Sequence, residues 1–126
     1  EMIKSGTTCF TDMYYFEDIV AEVCLKAGIR AVLSEGILDF PVPNNPSPDH
    51  ALEYTEMLIN KYSVSPLIDI AVGPHTPYTC SPQLLQKSRE LANKYDVLLN
   101  IHLAETKFEF DQCLAKNIPC AHAYFY

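Results

Sequence analysis

Apolar residues along the chain follow two alternating patterns. Residues 7–13 are rich in β-branched and apolar side chains and follow Gly6, which predicts a short strand. Residues 16–27 instead carry apolar side chains three or four positions apart, the spacing of an amphipathic helix, and Gly28 stands where such a helix ends. Residues 29–33 return to the strand pattern.

The same alternation continues through the rest of the chain. The further predicted elements are a helix over residues 48–62, a strand over 67–72, a helix over 81–95, a strand over 97–103 and a helix over 107–116, which Pro119 stops. Ser81 followed by Pro82 is a strong helix start, because serine caps free amides and proline suits the first helical position. Four prolines within residues 40–49 predict a long surface loop.

Nearly unbroken apolar strands that alternate with helices indicate an α/β fold with a parallel sheet. A doubly wound sheet and a (β/α)8 barrel both satisfy this order. A dinucleotide-binding doubly wound sheet needs G-x-G-x-x-G after its first strand, and the four glycines of this chain are not so spaced. We therefore predict parallel β/α units that form about half of a (β/α)8 TIM barrel, since a whole barrel takes about 250 residues.

Composition narrows the class of protein. Hydrophobic residues make up 48% and charged residues 20% of the 126 residues, which predicts a folded domain. No apolar run approaches the length of a membrane span, and the first residues do not have the pattern of a secretory signal. The net charge of −7 argues against nucleic acid as a partner. Five cysteines, an odd number without a C-x2-C pair, predict free thiols and a cytoplasmic location.

Candidate chemistry lies where the predicted strands end. In parallel β/α folds, polar side chains at the carboxyl ends of strands line the active face. The polar residues at these ends are Asp12, Glu35, His75, His102 and Glu105. His102 interrupts an apolar strand, and a neutral imidazole there can bind a divalent metal. Glu105, three residues later, can act as a general acid or base.

Each of these residues also has a purely structural interpretation. His102 can be a core histidine bonded to the backbone, Glu105 a solvated residue at a helix start, and His75 a loop residue held rigid by flanking prolines. The spacing of these residues alone favours the functional and the structural interpretation about equally. One class of zinc site is excluded, because cytidine deaminases use H-x-E followed by P-C-x-x-C, and no second cysteine follows Pro119-Cys120 at that spacing.

Four segments of the chain carry a specific set of motifs. They are SGTTCFTDMY at residues 5–14, GIRA at 28–31, GPHTPYTCS at 73–81 and IHLAET at 101–106. In order and spacing they resemble the amidohydrolase superfamily, in particular the branch of 5-methylthioadenosine/S-adenosylhomocysteine deaminases, triazine chlorohydrolases and guanine deaminases. The similarity runs from Glu1 to about Lys116. It implies a partial metal-dependent hydrolase barrel domain over residues 1–126, whose four strands are the second to the fifth.

The resemblance also implies roles for individual residues. His102 matches a metal-ligand histidine at the end of the fifth strand, and the metal is a divalent ion, zinc first and iron as the alternative. Glu105 matches the catalytic glutamate that shuttles protons, and His75 matches a substrate-binding histidine after the fourth strand. Glu35 stands where some methylthioadenosine deaminases carry a substrate-binding arginine. The family's other ligands have no counterpart in this sequence, and His122 is left unassigned.

The implied function is hydrolytic deamination of an aminated purine-like heterocycle or nucleoside, with a small molecule as substrate and no membrane partner. Because one ligand cannot hold a catalytic metal, we expect these residues to be inactive alone, and the divalent metal can be absent from them. One alternative is dechlorination by the same site. The other is a non-catalytic half-barrel that associates through its strand edges into a homo-oligomer. A sugar-phosphate barrel enzyme would need a glycine-rich phosphate loop, which is not found in these residues.

Overall fold

The computed structural model of the protein describes residues 1–115. A short 3-10 helix, Ile3–Ser5, precedes the regular elements. These are β1 (Cys9–Tyr14), α1 (Glu17–Ala27), β2 (Arg30–Ile37), α2 (Pro48–Tyr62), β3 (Ile68–Ile70), β4 (Gly73–Pro74), α3 (Pro82–Tyr95) and α4 (Lys107–Ala115). The predicted stop at Pro119, the last residue of the predicted final helix and His122 lie outside the described residues.

All strand pairs in the sheet are parallel. The strand order is β1-β2-β3, with β4 also paired to β2, so that β2 is the central strand. The register sets Thr11 opposite Val32, and Val32 opposite Asp69. Parallel strands connected by helices confirm the predicted β/α units, and they bring the carboxyl ends of the strands to one edge of the sheet.

Two of the predicted strands are less regular than the sequence pattern indicates. The third, predicted over residues 67–72, is shortened to β3, and β4 forms beyond its predicted end; residues 97–103 form a single parallel bridge, from Leu99 to Val72. Val72 donates to the carbonyl of Leu98 and accepts from the amide of Asn100, both at 2.9 Å. The prediction of a continuous strand over residues 97–103 is therefore wrong in extent. The physical reason is that the segment bonds to Val72 and His75, which lie just after β3 and β4, so that its hydrogen bonds do not form a continuous ladder.

Two helices begin as their sequences predict. The Ser47 hydroxyl accepts from the amide of His50 at 3.2 Å, and the Ser81 hydroxyl accepts from the amide of Leu84 at 3.3 Å. In both helices a proline occupies the first helical position, where a missing N–H costs nothing. Gly28 ends α1 in the left-handed conformation at a φ of 72°, which glycine adopts without steric penalty.

The hydrophobic core lies between the sheet and the helices α1, α2 and α3. Fully buried apolar side chains from β2 and β3 pack against those of the helices; they include Leu33, Ile37, Leu58, Ile68 and Val72. Burial of these side chains holds β2 at the centre and so places the strand ends that carry the polar residues. No helix within residues 1–115 has the length and apolar character needed to cross a membrane.

Candidate active site

Two of the predicted site residues lie side by side at the carboxyl edge of the sheet. His75 follows β4 and is half-buried, while His102 follows the extended segment and is exposed. Their rings are edge to face, with centroids 5.4 Å apart and planes at 77°. The amide of His102 donates to the carbonyl oxygen of His75 at 3.0 Å, which holds the two segments together at this point.

The ring of His75 is oriented by the turn that follows it. Its Nδ1 lies 3.0 Å from the hydroxyl of Thr79, and that hydroxyl lies 2.7 Å from the hydroxyl of the fully buried Thr76. These contacts leave Nε2 as the ring nitrogen available to a ligand. Burial lowers the pKa of His75, and the neighbouring His102 lowers it further, so the neutral ring is favoured. Sequence reasoning missed Thr76 and Thr79, although their spacing around His75 is a visible signal.

Glu105 lies on the exposed turn between His102 and α4. Its negative charge raises the pKa of His75, against the two effects that lower it. The structure brings the rings of His75 and His102 together, and Glu105 follows His102 by three positions on the exposed turn. An exposed carboxylate can accept a proton from a bound molecule and donate one to it.

Glu35, in contrast, does not face this region freely. Its side chain is fully buried, and Oε1 accepts from the amide groups of Asn44 and Asn45, both at 2.8 Å, while Oε2 accepts from the backbone N–H of Glu17 at 3.2 Å. Burial raises the pKa of Glu35, and the hydrogen bonds from Asn44 and the other donors oppose that change. The expectation that Glu35 lines the active face is corrected, because its oxygens anchor the proline-rich loop and the start of α1.

A second buried carboxyl group, which the sequence did not single out, lies next to Glu35. Glu17 is fully buried; its Oε1 accepts from the backbone N–H of Tyr14 at 3.0 Å, and its Oε2 has no partner among the described residues. Burial, followed by the nearby charge of Asp12, raises the pKa of Glu17 to about 8. Glu17 is therefore mainly a neutral acid at pH 7.

The described residues do not make a complete metal site. In the part of the chain that the structure covers, no three His, Cys, Asp or Glu side chains come close enough together to hold one ion. A catalytic zinc site uses three protein ligands. The exposed ring of His102 fits the role of one ligand but cannot hold a catalytic metal without others.

Nearly the whole chain is similar in sequence to a known family of proteins. The sequence model of the amidohydrolase family matches residues 1–121. The chain is 48% identical over 124 residues to the 5-methylthioadenosine/S-adenosylhomocysteine deaminase of Syntrophobacter fumaroxidans. That match covers 97% of this chain and 28% of the relative, so the chain spans little more than a quarter of the relative's length.

Two solved structures share the fold. An adenosine deaminase from Xanthomonas campestris with bound zinc superposes with a TM-score of 0.89 at 34% identity, over 92% of this chain and 26% of that protein. A guanine deaminase from C. acetobutylicum with guanine in its active site gives a TM-score of 0.80 at 25% identity, over 94% of this chain and 30% of that protein. These likenesses confirm the predicted fold class, parallel β/α units of a (β/α)8 barrel.

Proposed function

The chain belongs to the amidohydrolase family, and on this premise we propose that it forms part of a metal-dependent deaminase. The substrate is an aminated purine-like heterocycle or nucleoside, and the reaction exchanges the ring amino group for oxygen with release of ammonia. The observation that carries this proposal is the approach of His75 and His102, with ring centroids 5.4 Å apart, on the segment that leads to Glu105 three positions after His102.

The choice of an adenosine-type substrate is supported by the relative from Syntrophobacter fumaroxidans described above. It is a 5-methylthioadenosine/S-adenosylhomocysteine deaminase, 48% identical to this chain. The guanine deaminase structure supports the broader class of purine-like rings. Glu35 does not select the substrate in this proposal, because its oxygens are occupied by Asn44, Asn45 and the backbone of Glu17.

We assign His102 as one ligand of a divalent metal ion, with zinc as the first choice. Its ring is exposed at the carboxyl edge of the sheet, and the adenosine deaminase that superposes on this chain holds zinc. A divalent ion in such a site supplies Lewis acidity that activates water. The remaining ligands come from outside the described residues, because within these residues no three His, Cys, Asp or Glu side chains lie close enough together to bind one ion.

Glu105 is the proton carrier in this proposal. Its exposed carboxylate takes a proton from the attacking water and delivers it to a ring nitrogen of the substrate, which prevents negative charge from accumulating on the heterocycle. His75 binds the substrate through Nε2, since Nδ1 is already in contact with Thr79. Its lowered pKa keeps the ring neutral, so that it hydrogen-bonds to the substrate without adding a positive charge.

The experiment uses the longest natural protein that contains residues 1–126, here called the parent protein. Ammonia release is measured with 5-methylthioadenosine, adenosine, guanine and an amino-triazine, and chloride release with a chloro-triazine. We expect deamination of an adenosine-type substrate and a loss of about 10²- to 10⁴-fold in kcat for Glu105→Gln at unchanged metal content. The matched control is Glu90→Gln, an exposed glutamate on α3.

Two results would contradict the deaminase, a third would favour dechlorination, and a fourth concerns the activity of the chain alone. Failure of the metal-loaded parent protein to release ammonia from any of these compounds, or full activity of Glu105→Gln, contradicts the deaminase. Chloride release in place of ammonia supports the dechlorination alternative instead. Activity of the 126-residue chain alone with added zinc would refute the expectation that it is inactive by itself.

A second candidate is a non-catalytic half-barrel that associates through its strand edges. It is favoured by exposed apolar side chains at both sides of the sheet: Tyr14, at the end of the edge strand β1, is 66% exposed, and Leu98, in the opposite extended segment, is 67% exposed. Light scattering and metal analysis of the parent protein separate the two candidates. A metal-free homo-oligomer supports association, and one zinc per parent protein supports the deaminase.

A further inference from the structure

A buried carboxylate lies in the first turn of α4, beside the proposed active site. Glu109 is 1% exposed, although its neighbours Phe108 and Phe110 are 68% and 44% exposed. A carboxylate is rarely buried unless its oxygens have partners, because the loss of water around the charge must be offset. The partners of Glu109 therefore indicate what it does.

Both oxygens of Glu109 accept backbone hydrogen bonds from the turn that precedes α4. Oε1 accepts from the amide of Ala104 at 3.1 Å, and Oε2 accepts from the amide of Glu105 at 2.8 Å. Hydrogen bonds to an ionised carboxylate are stronger than those between neutral groups. Glu109 thus holds the backbone of the residue that we assign as the proton carrier.

This arrangement differs from the usual cap of a helix. Thr106 and Glu109 have the T-x-x-E spacing of a capping box, and the Thr106 hydroxyl accepts from the amide of Glu109 at 3.1 Å. In a capping box the glutamate returns to the amide of the capping residue itself. Here it reaches one and two residues further upstream, so its bonds act on the turn rather than on the helix end.

The turn requires such support because of its backbone conformation. Ala104 has a φ of 53°, in the left-handed region that is sterically unfavourable for a residue with a Cβ. Residues in such conformations persist where surrounding contacts hold them, and they are common at functional sites. The Ala104 amide is one of the two groups that Glu109 binds, and Ala104 lies between His102 and Glu105.

We propose that Glu109 is a positioning residue that holds Glu105 in the orientation needed for proton transfer next to His102. This inference rests on the proposed function, since it assigns a task to Glu105. Released from Glu109, the turn can relax and move the Glu105 carboxylate, and a displacement of about 1 Å can cost about 100-fold in rate.

The test compares two substitutions at the start of α4 in the metal-loaded parent protein. Glu109→Gln keeps the shape of the side chain but replaces one accepting oxygen with an NH2 group that faces a backbone N–H. Thr106→Val removes the cap of the helix, the bond from the Glu109 amide to the Thr106 hydroxyl, and leaves the Glu109 carboxylate in place. Thr106→Val therefore weakens the helix start, whereas only Glu109→Gln releases the turn.

We expect Glu109→Gln to lower kcat by about 10- to 100-fold, with KM and metal content changed less than about twofold. Glu109→Asp, which keeps two accepting oxygens, should recover part of the lost kcat, and Thr106→Val should keep kcat within about twofold of the wild type. Backbone hydrogen exchange at Ala104 and Glu105 should accelerate in Glu109→Gln and stay slow in Thr106→Val, because only the first loses an acceptor for these amides.

Two sets of results would overturn the inference, and they differ from a failure of the proposed function. Full kcat in Glu109→Gln, or equal losses of kcat in Glu109→Gln and Thr106→Val, reduces Glu109 to a helix cap. Unchanged exchange at Ala104 and Glu105 in Glu109→Gln shows that the carboxylate does not hold the turn. An inactive wild type or a fully active Glu105→Gln refutes the deaminase itself, whereas an inactive Glu105→Gln beside a fully active Glu109→Gln refutes only the positioning role.

Discussion

The backbone amide of His102 donates a 3.0 Å hydrogen bond to the carbonyl oxygen of His75, and the two rings meet edge to face. This bond joins the segment after β4 to the segment that precedes α4. The two imidazoles therefore have a fixed relation although 27 positions separate them in the sequence. Their different exposure suggests different tasks, with the exposed ring available to an ion and the half-buried ring to a substrate.

We predict that His102→Asn and His75→Asn separate metal binding from substrate binding. In the parent protein, His102→Asn should lower zinc content well below that of the wild type and reduce kcat/KM by more than about 100-fold, because loss of an outer-shell partner already costs about 10- to 100-fold. His75→Asn should retain zinc and act mainly through KM. Plasma mass spectrometry and steady-state kinetics measure both effects. Equal zinc content in the two variants would contradict the ligand assignment.

The buried Glu17 should make stability depend on pH. Its folded-state pKa of about 8 exceeds its ordinary value of 4.5, so between these values the folded state binds more protons than the unfolded state. The contribution of Glu17 to the free energy of unfolding therefore falls as pH rises from 4.5 to about 8, by at most about 1.4 kcal/mol per pH unit. Glu17→Gln should remove this fall.

Urea unfolding of the chain at pH 5, 6, 7 and 8 measures the Glu17 effect. The difference in unfolding free energy between Glu17→Gln and the wild type should grow in favour of the variant as pH rises. Glu22→Gln is the control, because Glu22 lies on the same helix but is exposed. A constant difference between Glu17→Gln and the wild type across this range would show that Glu17 ionises normally.

The loop of residues 40–49 should depend on Asn45 for its attachment to the sheet. Asn45 is 1% exposed; its Nδ2 donates to Glu35 at 2.8 Å and its Oδ1 lies 2.8 Å from Nδ1 of His50. Asn45→Ala removes both contacts and one donor to a buried carboxyl group, which should destabilise the chain by about 1–3 kcal/mol. Asn93→Ala, at an exposed position of α3, should change stability by about 0.5 kcal/mol or less, and chemical unfolding compares the two.

The close contact between β2 and β4 should tolerate no side chain at Gly73. A Cβ there would lie 2.7 Å from the carbonyl oxygen of Glu35 and 2.9 Å from the Cβ of Ser34. Gly73→Ala should therefore destabilise the chain by about 1–3 kcal/mol. At Gly36, the partner of Gly73 in the sheet, a Cβ would lie at least 3.4 Å from its neighbours. Gly36→Ala should be neutral or slightly stabilising, and thermal unfolding of the two variants compares these effects.

The sequence predicted which residues lie at the candidate site, but it predicted only part of the contacts that they make. His75, His102 and Glu105 follow predicted strand ends, and the rule that such ends share one edge places them together. Glu35 satisfies the same rule but is buried, because Asn44 and Asn45 of the proline-rich loop fold back onto it. Which groups donate hydrogen bonds to Glu35 depends on the path of the loop, and that path cannot be predicted from the composition of the loop.

The sequence by itself determined the type and order of the elements, since periodicity, the Ser-Pro helix starts at residues 47–48 and 81–82 and the stop at Gly28 act over a few neighbouring residues. Only the tertiary structure decided that residues 97–103 pair at one bridge and that Glu17 is buried beside Glu35. It also decided that Glu109 binds the turn of Ala104 and not its own helix end. The first two outcomes depend on which distant groups pack together and lose their water, and the third depends on the backbone conformation of a short turn, which leaves the Glu109 carboxylate buried. Burial of this kind is a property of the assembled fold.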